Sequence, residues 1–284
     1  MQSWQAGMER IPGGWEQPIR LLAVDLDDTL LTSDLRISPR SQQALRRARE
    51  RGVQVVLATG RMFISALPFA RLLGLDGPMI CYNGATVRGV GDGRILRRRP
   101  LPLPLALKLV REAQRRSIDI HAYIHDDLLV AEEGEAVRYY ERVAGVKAQV
   151  VGDVAACLKA RGQDPDKLLC VVPEGKAPFW RRFFQEVAGG AAHVTGSKSR
   201  FVEMMSAGVD KGEALAWLAG TLGLQPEQVM ALGDSYNDME MLRYAGLGVA
   251  MGNAPAAVQE AVGRVTGDHD HDGVAEAVEK YILG

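Results

Sequence analysis

Cysteine is scarce in this sequence: Cys81, Cys157 and Cys170 are the whole complement, and no two of them form a C-x-x-C pair. So few and so scattered, they exclude a disulfide-built scaffold and point to a reducing cytoplasm. Net charge is lacking too, because 34 basic side chains meet 35 acidic ones and leave −1. No overall field gathers nucleic acid or anionic membrane, so a small-molecule substrate fits better than either. No apolar stretch reaches the length of a signal peptide core or a membrane span. Internal repeats and low-complexity tracts are absent as well. No G-x-G-x-x-G follows the first apolar strand and no G-x-x-x-x-G-K-[ST] occurs, which sets aside the dinucleotide and P-loop cradles.

What is present is an ordinary globular balance, 47% apolar and 24% charged over 284 residues. That length predicts two compact units with ample core. Residues 1–18 read as a loose tail. From Arg20 the order is alternating. Leu21 to Val24 predicts a strand, Ser38 to Arg51 a helix with Ser38 and Pro39 as N-cap and first position, and Val53 to Leu57 a strand. Ser65 to Leu73 predicts a helix and Met79 to Tyr82 a third strand. The grammar resumes near Lys211 with a helix, a strand over Val229 to Leu232, a helix from Asp238, a strand over Leu247 to Met251, a helix from Pro255, a last short strand and a helix from Gly273. This is the pattern of a doubly wound, mostly parallel α/β sheet. Between the halves a hairpin at Gly91 to Gly93, short strands (118–124, 128–131, 168–172, 201–205) and helices (103–116, 135–144, 178–187) predict an inserted α+β domain. The expected division is 19–85 and 207–284 for the core and 86–206 for the insertion, which would overhang the edge where open α/β sheets bind ligands.

Four segments carry the chemistry. Asp25-Leu26-Asp27-Asp28-Thr29 crowds three carboxylates and a hydroxyl where an apolar strand ends. Extended geometry puts Asp25 and Asp27 on one side, where like charges raise one another's pKa unless a cation intervenes. Magnesium, which takes oxygen ligands, suits that position. Thr59-Gly60-Arg61 follows the second strand, with Gly60 allowing backbone amides near an anion. Asp210-Lys211-Gly212 places an ammonium at a helix start, against the macrodipole, so an anionic neighbour is expected. Gly233-Asp234-Ser235-Tyr236-Asn237-Asp238 adds two carboxylates and an amide after a later strand. Each segment alone also reads as a solvated turn or a helix cap. Together, at strand ends on one sheet edge, they point to a single site.

These four segments, over Arg20 to Gly284, resemble the haloacid dehalogenase superfamily, specifically its Cof-like branch with a large α/β cap. The resemblance implies a magnesium-dependent phosphatase of small phosphate esters: sugar phosphates, nucleotides or phosphorylated cofactors. It makes Asp25 the nucleophile that forms an aspartyl-phosphate, and Asp27 the general acid and base with Thr29 positioning it. Thr59 and Lys211 would hold the phosphoryl oxygens. Asp234, Asp25 and the backbone carbonyl of Asp27 would bind magnesium, with Asp238 supporting from outside. Gly60, Arg61 and Asn237 join as candidates for binding phosphate or substrate. Asn83 and Gly84 resemble the strand-to-cap junction and Asn253 another site-edge position. Asp28 stands where glycine is common, and is expected to point away from phosphate and stabilise the turn. The chemistry requires Asp25 ionised and Asp27 protonated as the leaving oxygen departs, with metal contact favouring that split.

Other features carry bland readings. His269-Asp270-His271-Asp272 reads as a polar turn, Arg97-Arg98-Arg99 as a solvated cap edge, and Trp180, Phe183 and Phe184 as cap packing. His121, Tyr123 and His125 share a strand face that either lines the cleft or covers the sheet. A phospho-accepting receiver switch is the non-enzymatic alternative, but needs no large insertion. A phosphomutase of the same superfamily is the enzymatic one.

Overall fold

A computed structural model describes residues 17–284; the tail expected over 1–18 lies almost wholly outside the described residues. The parallel sheet is built from β1 (Leu21–Val24), β2 (Gln54–Leu57), β12 (Val229–Gly233) and β13 (Leu247–Ala250), in the order β13-β12-β1-β2. A parallel bridge between Ala58 and Ile80 joins this sheet to β3 (Pro78–Cys81). Antiparallel pairing then adds β4 (Thr86–Gly89) and β5 (Ile95–Arg98).

Successive residues of β1 serve opposite faces, as period-two geometry requires. Leu22 and Val24 pack with α1 (Pro39–Glu50), α2 (Phe63–Leu72) and α10 (Gly273–Val278). Leu21 and Ala23 pack with α7 (Lys211–Thr221), α8 (Met239–Tyr244) and α9 (Ala256–Val262). The expected doubly wound sheet is therefore present, with helices on both faces. Ser38 caps α1 by accepting from the Ser41 amide at 3.1 Å, and Asp210 caps α7 by accepting from the Glu213 amide at 2.8 Å. Such caps satisfy amides that the first helical turn leaves unpaired.

The second sheet, order β10-β11-β9-β6-β7-β8, comprises β6 (Asp119–Ile124), β7 (Asp127–Val130), β8 (Ala148–Val150), β9 (Lys167–Val171), β10 (Ala192–Thr195) and β11 (Phe201–Ser206). One face is covered by α3 (Leu103–Gln114), α5 (Val154–Arg161) and α6 (Ala177–Ala188), and Trp180, Phe183 and Phe184 pack there. Against the other face lies α4 (Glu135–Ala144). His121 and Tyr123 are fully buried on that face, in ring contact with Tyr140 of α4, so they cover the sheet rather than line the cleft.

Hydrogen bonding allots 86–98 to the three-stranded sheet of β3, β4 and β5, because β4 pairs with β3. The division expected at residue 86 cuts through that pairing, and the separate six-stranded sheet spans 119–206. The Arg97 to Arg99 run is not a solvated edge. Arg97 bonds Glu213 of α7 at 2.5 and 2.7 Å, Arg98 bonds buried Asp166 at 2.7 Å, and Arg99 donates to the carbonyls of Ala207 and Gly208. Outgoing and returning chain are thus strapped side by side. Among the described residues no helix is long and apolar enough to cross a membrane.

Candidate active site

Val24 of β1 stands in register with Leu232 of β12. The chain segments that follow, carrying Asp25 and Asp234, therefore leave the sheet beside each other at its carboxyl edge. Carboxylate oxygens of Asp25, Asp234 and Asp238 lie within 4.8 Å of one another. Lys211, fully buried at the start of α7, donates to Asp25 Oδ1 at 2.5 Å and to Asp238 Oδ1 at 2.6 Å. The anionic neighbours that its place on the helix dipole called for are these two. Asp238 is held in turn by the amides of Asp234 and Ser235, which donate to its Oδ2 at 3.1 and 3.0 Å.

Burial pushes the Asp25 carboxyl up to about 7; the charge of Asp238 adds to this and Lys211 opposes it. Burial also lifts Asp234 well above the ordinary carboxylate range, with Asp238 and Asp25 adding to the effect. For Lys211 burial works against the charge, yet the two carboxylates outweigh it and its pKa rises. Three carboxylates against one ammonium leave two formal negative charges in a buried cluster. An oxygen-liganded divalent cation matches that surplus in both charge and donor type, so the residues fit magnesium.

Asp27 takes no part in this cluster. Its carboxylate accepts from Arg61 Nε at 2.8 Å and Nη2 at 2.6 Å. Burial alone would raise its pKa, but the guanidinium prevails and holds it below the usual range. Without the metal contact on which the expected split depends, the two acids are ordered the other way: Asp25 is buried and crowded by like charge, while Asp27 sits in a charge-assisted fork. Thr29, expected to position Asp27, instead donates to Asp234 Oδ1 at 2.8 Å. Asp28 adopts a left-handed conformation, φ 58°, which explains why glycine suits this position. Its carboxylate turns to Lys198 of the second unit at 3.1 Å.

Thr59 is buried, and its hydroxyl accepts from the Arg61 amide at 3.1 Å. Gly60 offers its carbonyl to Lys167 at 2.8 Å, and a Cβ there would come within 2.8 Å of Asn83 Oδ1, leaving no room for another residue. Asn83 donates to Glu203 at 2.8 Å and accepts from Asn237 at 3.0 Å, so those two amides form a bridge along the site wall. Asn253 lines an outer groove with Asp234, Tyr236 and His269, where it donates to the Asp28 carbonyl at 2.8 Å. The His269 to Asp272 run ties its loop to the core: Asp270 accepts from the Ser33 amide and hydroxyl, and Asp272 from Ser38.

The cleft above these groups is small, about 50 Å³, and opens to solvent. Its far wall brings in residues that sequence reasoning missed, Tyr140, Lys167, Lys198, Phe201 and Glu203. A signal for one of them was present: Glu203 interrupts the apolar run Phe201 to Met205, and full burial of such a group requires a partner.

The profile of the haloacid dehalogenase-like hydrolases matches residues 22–278. The chain belongs to that family. Within it, pyridoxal phosphate phosphatase YbhA of Escherichia coli is 31% identical over 274 residues, 93% of this chain and 99% of its own. A 5-amino-6-(5-phospho-D-ribitylamino)uracil phosphatase, YitU of Bacillus subtilis, is 29% identical over 278 residues, 92% of this chain and 97% of its own. The crystal structure of a haloacid dehalogenase-like hydrolase from Bacteroides thetaiotaomicron superposes with a TM-score of 0.81 at 30% identity, over 92% of this chain and 98% of that one. By this kinship the chain is an enzyme of the phosphoric monoester hydrolase class.

Proposed function

We propose that the protein is a magnesium-dependent phosphatase of small phosphate monoesters, working through an aspartyl-phosphate on Asp25. The observation that carries this reading is the convergence of Asp25, Asp234 and Asp238 around Lys211 at the carboxyl edge of the sheet. A nucleophile with a cation beside it at such an edge is what phosphoryl transfer requires. The names of relatives, which include a pyridoxal phosphate phosphatase and an HMP-PP phosphatase, agree with a small phosphorylated metabolite as substrate.

In the first step an Asp25 oxygen attacks phosphorus in line, the bond from phosphorus to the leaving oxygen breaks, and Asp27 gives that oxygen a proton. In the second, Asp27 takes a proton from water as the water oxygen attacks the aspartyl-phosphate, releasing inorganic phosphate and restoring Asp25. Asp25, Asp234 and the Asp27 carbonyl would hold magnesium, with Asp238 behind them. When bound, the ion supplies positive charge against the carboxylates and the phosphoryl oxygens. Thr59, Lys211 and the amides near Gly60 orient the phosphoryl group. Arg61, Asn83 and Asn237 shape the wall, and Asn253 the rim. For Asp27 to act as an acid it has to leave the Arg61 fork, which substrate entry into the cleft would bring about. The unit spanning the six-stranded sheet acts as a cap, and the cytoplasm is the proposed location.

The test is magnesium-dependent phosphate release from p-nitrophenyl phosphate. Asp25→Asn is expected to lower turnover on the order of 10³-fold or more; undiminished turnover would overturn the nucleophile assignment.

A further inference from the structure

The turn Thr59 to Arg61, which follows β2, presents three carbonyls. The core takes the outer two: the Asn83 amide donates to the Thr59 carbonyl and the Tyr82 amide to the Arg61 carbonyl, each at 3.1 Å. The middle one goes to the second unit, where Lys167 of β9, 1% exposed, donates to the Gly60 carbonyl at 2.8 Å. All three N–H directions of that ammonium are occupied. Besides Gly60 it donates to Glu203 Oε1 at 3.0 Å, and it lies 5.0 Å from the centroid of the Tyr123 ring.

Glu203 bears on the same residue by another route. Its second oxygen accepts from Asn83 at 2.8 Å, and Asn83 Oδ1 stands 2.8 Å from the place a Cβ on Gly60 would occupy. A planar peptide carries this hold onward. The Gly60 carbonyl and the Arg61 amide share one plane, fixed at the carbonyl end by Lys167 and at the amide end by Thr59 Oγ1, 3.1 Å away. With both ends tied, the Arg61 backbone is placed, and its guanidinium forks Asp27 at 2.6 and 2.8 Å. Without Lys167 the plane is held at one end only, and glycine offers no side chain to resist its turning.

We propose that Lys167, backed by Glu203, is a positioning residue for the general acid: through the Gly60–Arg61 peptide it sets where Arg61 holds Asp27. This rests on the phosphatase reading above and gives the second unit a part other than contact with substrate. Asp27 leaves the fork to act, so the fork fixes the point from which its proton is delivered to the leaving oxygen, and a misplacement of about 1 Å there is costly.

Phenyl phosphate and p-nitrophenyl phosphate test this, because they are close in shape while phenolate needs a proton to leave far more than nitrophenolate does. The ratio of kcat/KM for the nitrophenyl ester over the phenyl ester, with magnesium present, therefore reads the proton donor. It is taken within one preparation, so partial unfolding cancels. Lys167→Met is expected to raise the ratio about fivefold. Lys167→Met/Glu203→Gln, which leaves no buried charge unpaired, is expected to raise it as much. Because Lys167 acts through Arg61, adding Lys167→Met to Arg61→Ala is expected to change the ratio no further. A ratio at or below the wild-type value while both esters slow, or effects of the two substitutions that multiply, would overturn the proposal and leave the phosphatase reading standing. Failure of both Lys167 variants to fold would make the pair structural and overturn it too. No turnover of p-nitrophenyl phosphate by the wild-type protein would strike the phosphatase reading, and the proposal with it.

Discussion

Arg61 holds both carboxylate oxygens of Asp27, at 2.6 and 2.8 Å, while its own backbone amide donates to Thr59. One residue thereby links the tips of β1 and β2 and fixes where the proposed proton donor waits.

If Asp27 protonates the leaving oxygen, its removal should matter most for esters whose alcohol leaves poorly. Asp27→Asn is expected to slow an alkyl phosphate by about 10² to 10⁴-fold, and p-nitrophenyl phosphate much less, since a nitrophenolate needs no acid. Arg61→Ala should show the same pattern to a smaller degree. Equal losses on both esters would remove Asp27 from the acid role.

Magnesium should stabilise the fold as well as support turnover. At a hundredfold excess over its Kd it is expected to raise Tm by about 5 °C or more in wild type, and Asp234→Asn should abolish most of that shift. Chelation should stop turnover and added magnesium restore it. A metal-independent Tm and rate would contradict the reading of the carboxylate cluster.

The arginine run offers a contrast in stability. Asp166 is fully buried, so Arg98→Met strands an acid and should destabilise by about 3 kcal/mol in urea unfolding. Glu213 is one-third exposed, and Arg97→Met should lose about 1 kcal/mol or less. The reverse order would refute this account of the strap.

Cys81 and Cys170 are buried, and burial pushes both thiols up, so neither forms thiolate near neutral pH. Cys157 is only half-buried. A thiol-disulfide reagent at pH 8 should titrate one thiol in the native protein and three after unfolding. Three fast thiols without denaturant would show that the two cores open readily.

What the sequence disclosed follows from locality. Asp25 to Thr29 stood out because acids abruptly follow a short apolar strand, and Lys211 because a cation opens a helix. Partnership was another matter. Thr29 lies 205 residues from its acceptor on Asp234 and was assigned to its neighbour Asp27 instead. The Arg61 fork hid for the same reason, since a strand tip does not declare which tip it leans on. Lys167 and Glu203 are 36 residues apart on adjacent cap strands, and only pairing brings them face to face. β8, β10 and α5 escaped notice: the strands are only three and four residues long, and apolar residues of the helix do not collect on one face. The hairpin at 86–98 was legible as a hairpin, while its allegiance to β3 is a tertiary choice.

The arginine strap also bears on how the enzyme can breathe. Because Arg99 ties the departing chain to the Ala207 and Gly208 carbonyls of the returning chain, the two crossings into the cap run side by side, while Arg88 to Asp126 and Tyr82 to the His125 carbonyl bond cap to core elsewhere. A cleft that opens has those side-chain bonds to break, whereas the paired crossings can stay together.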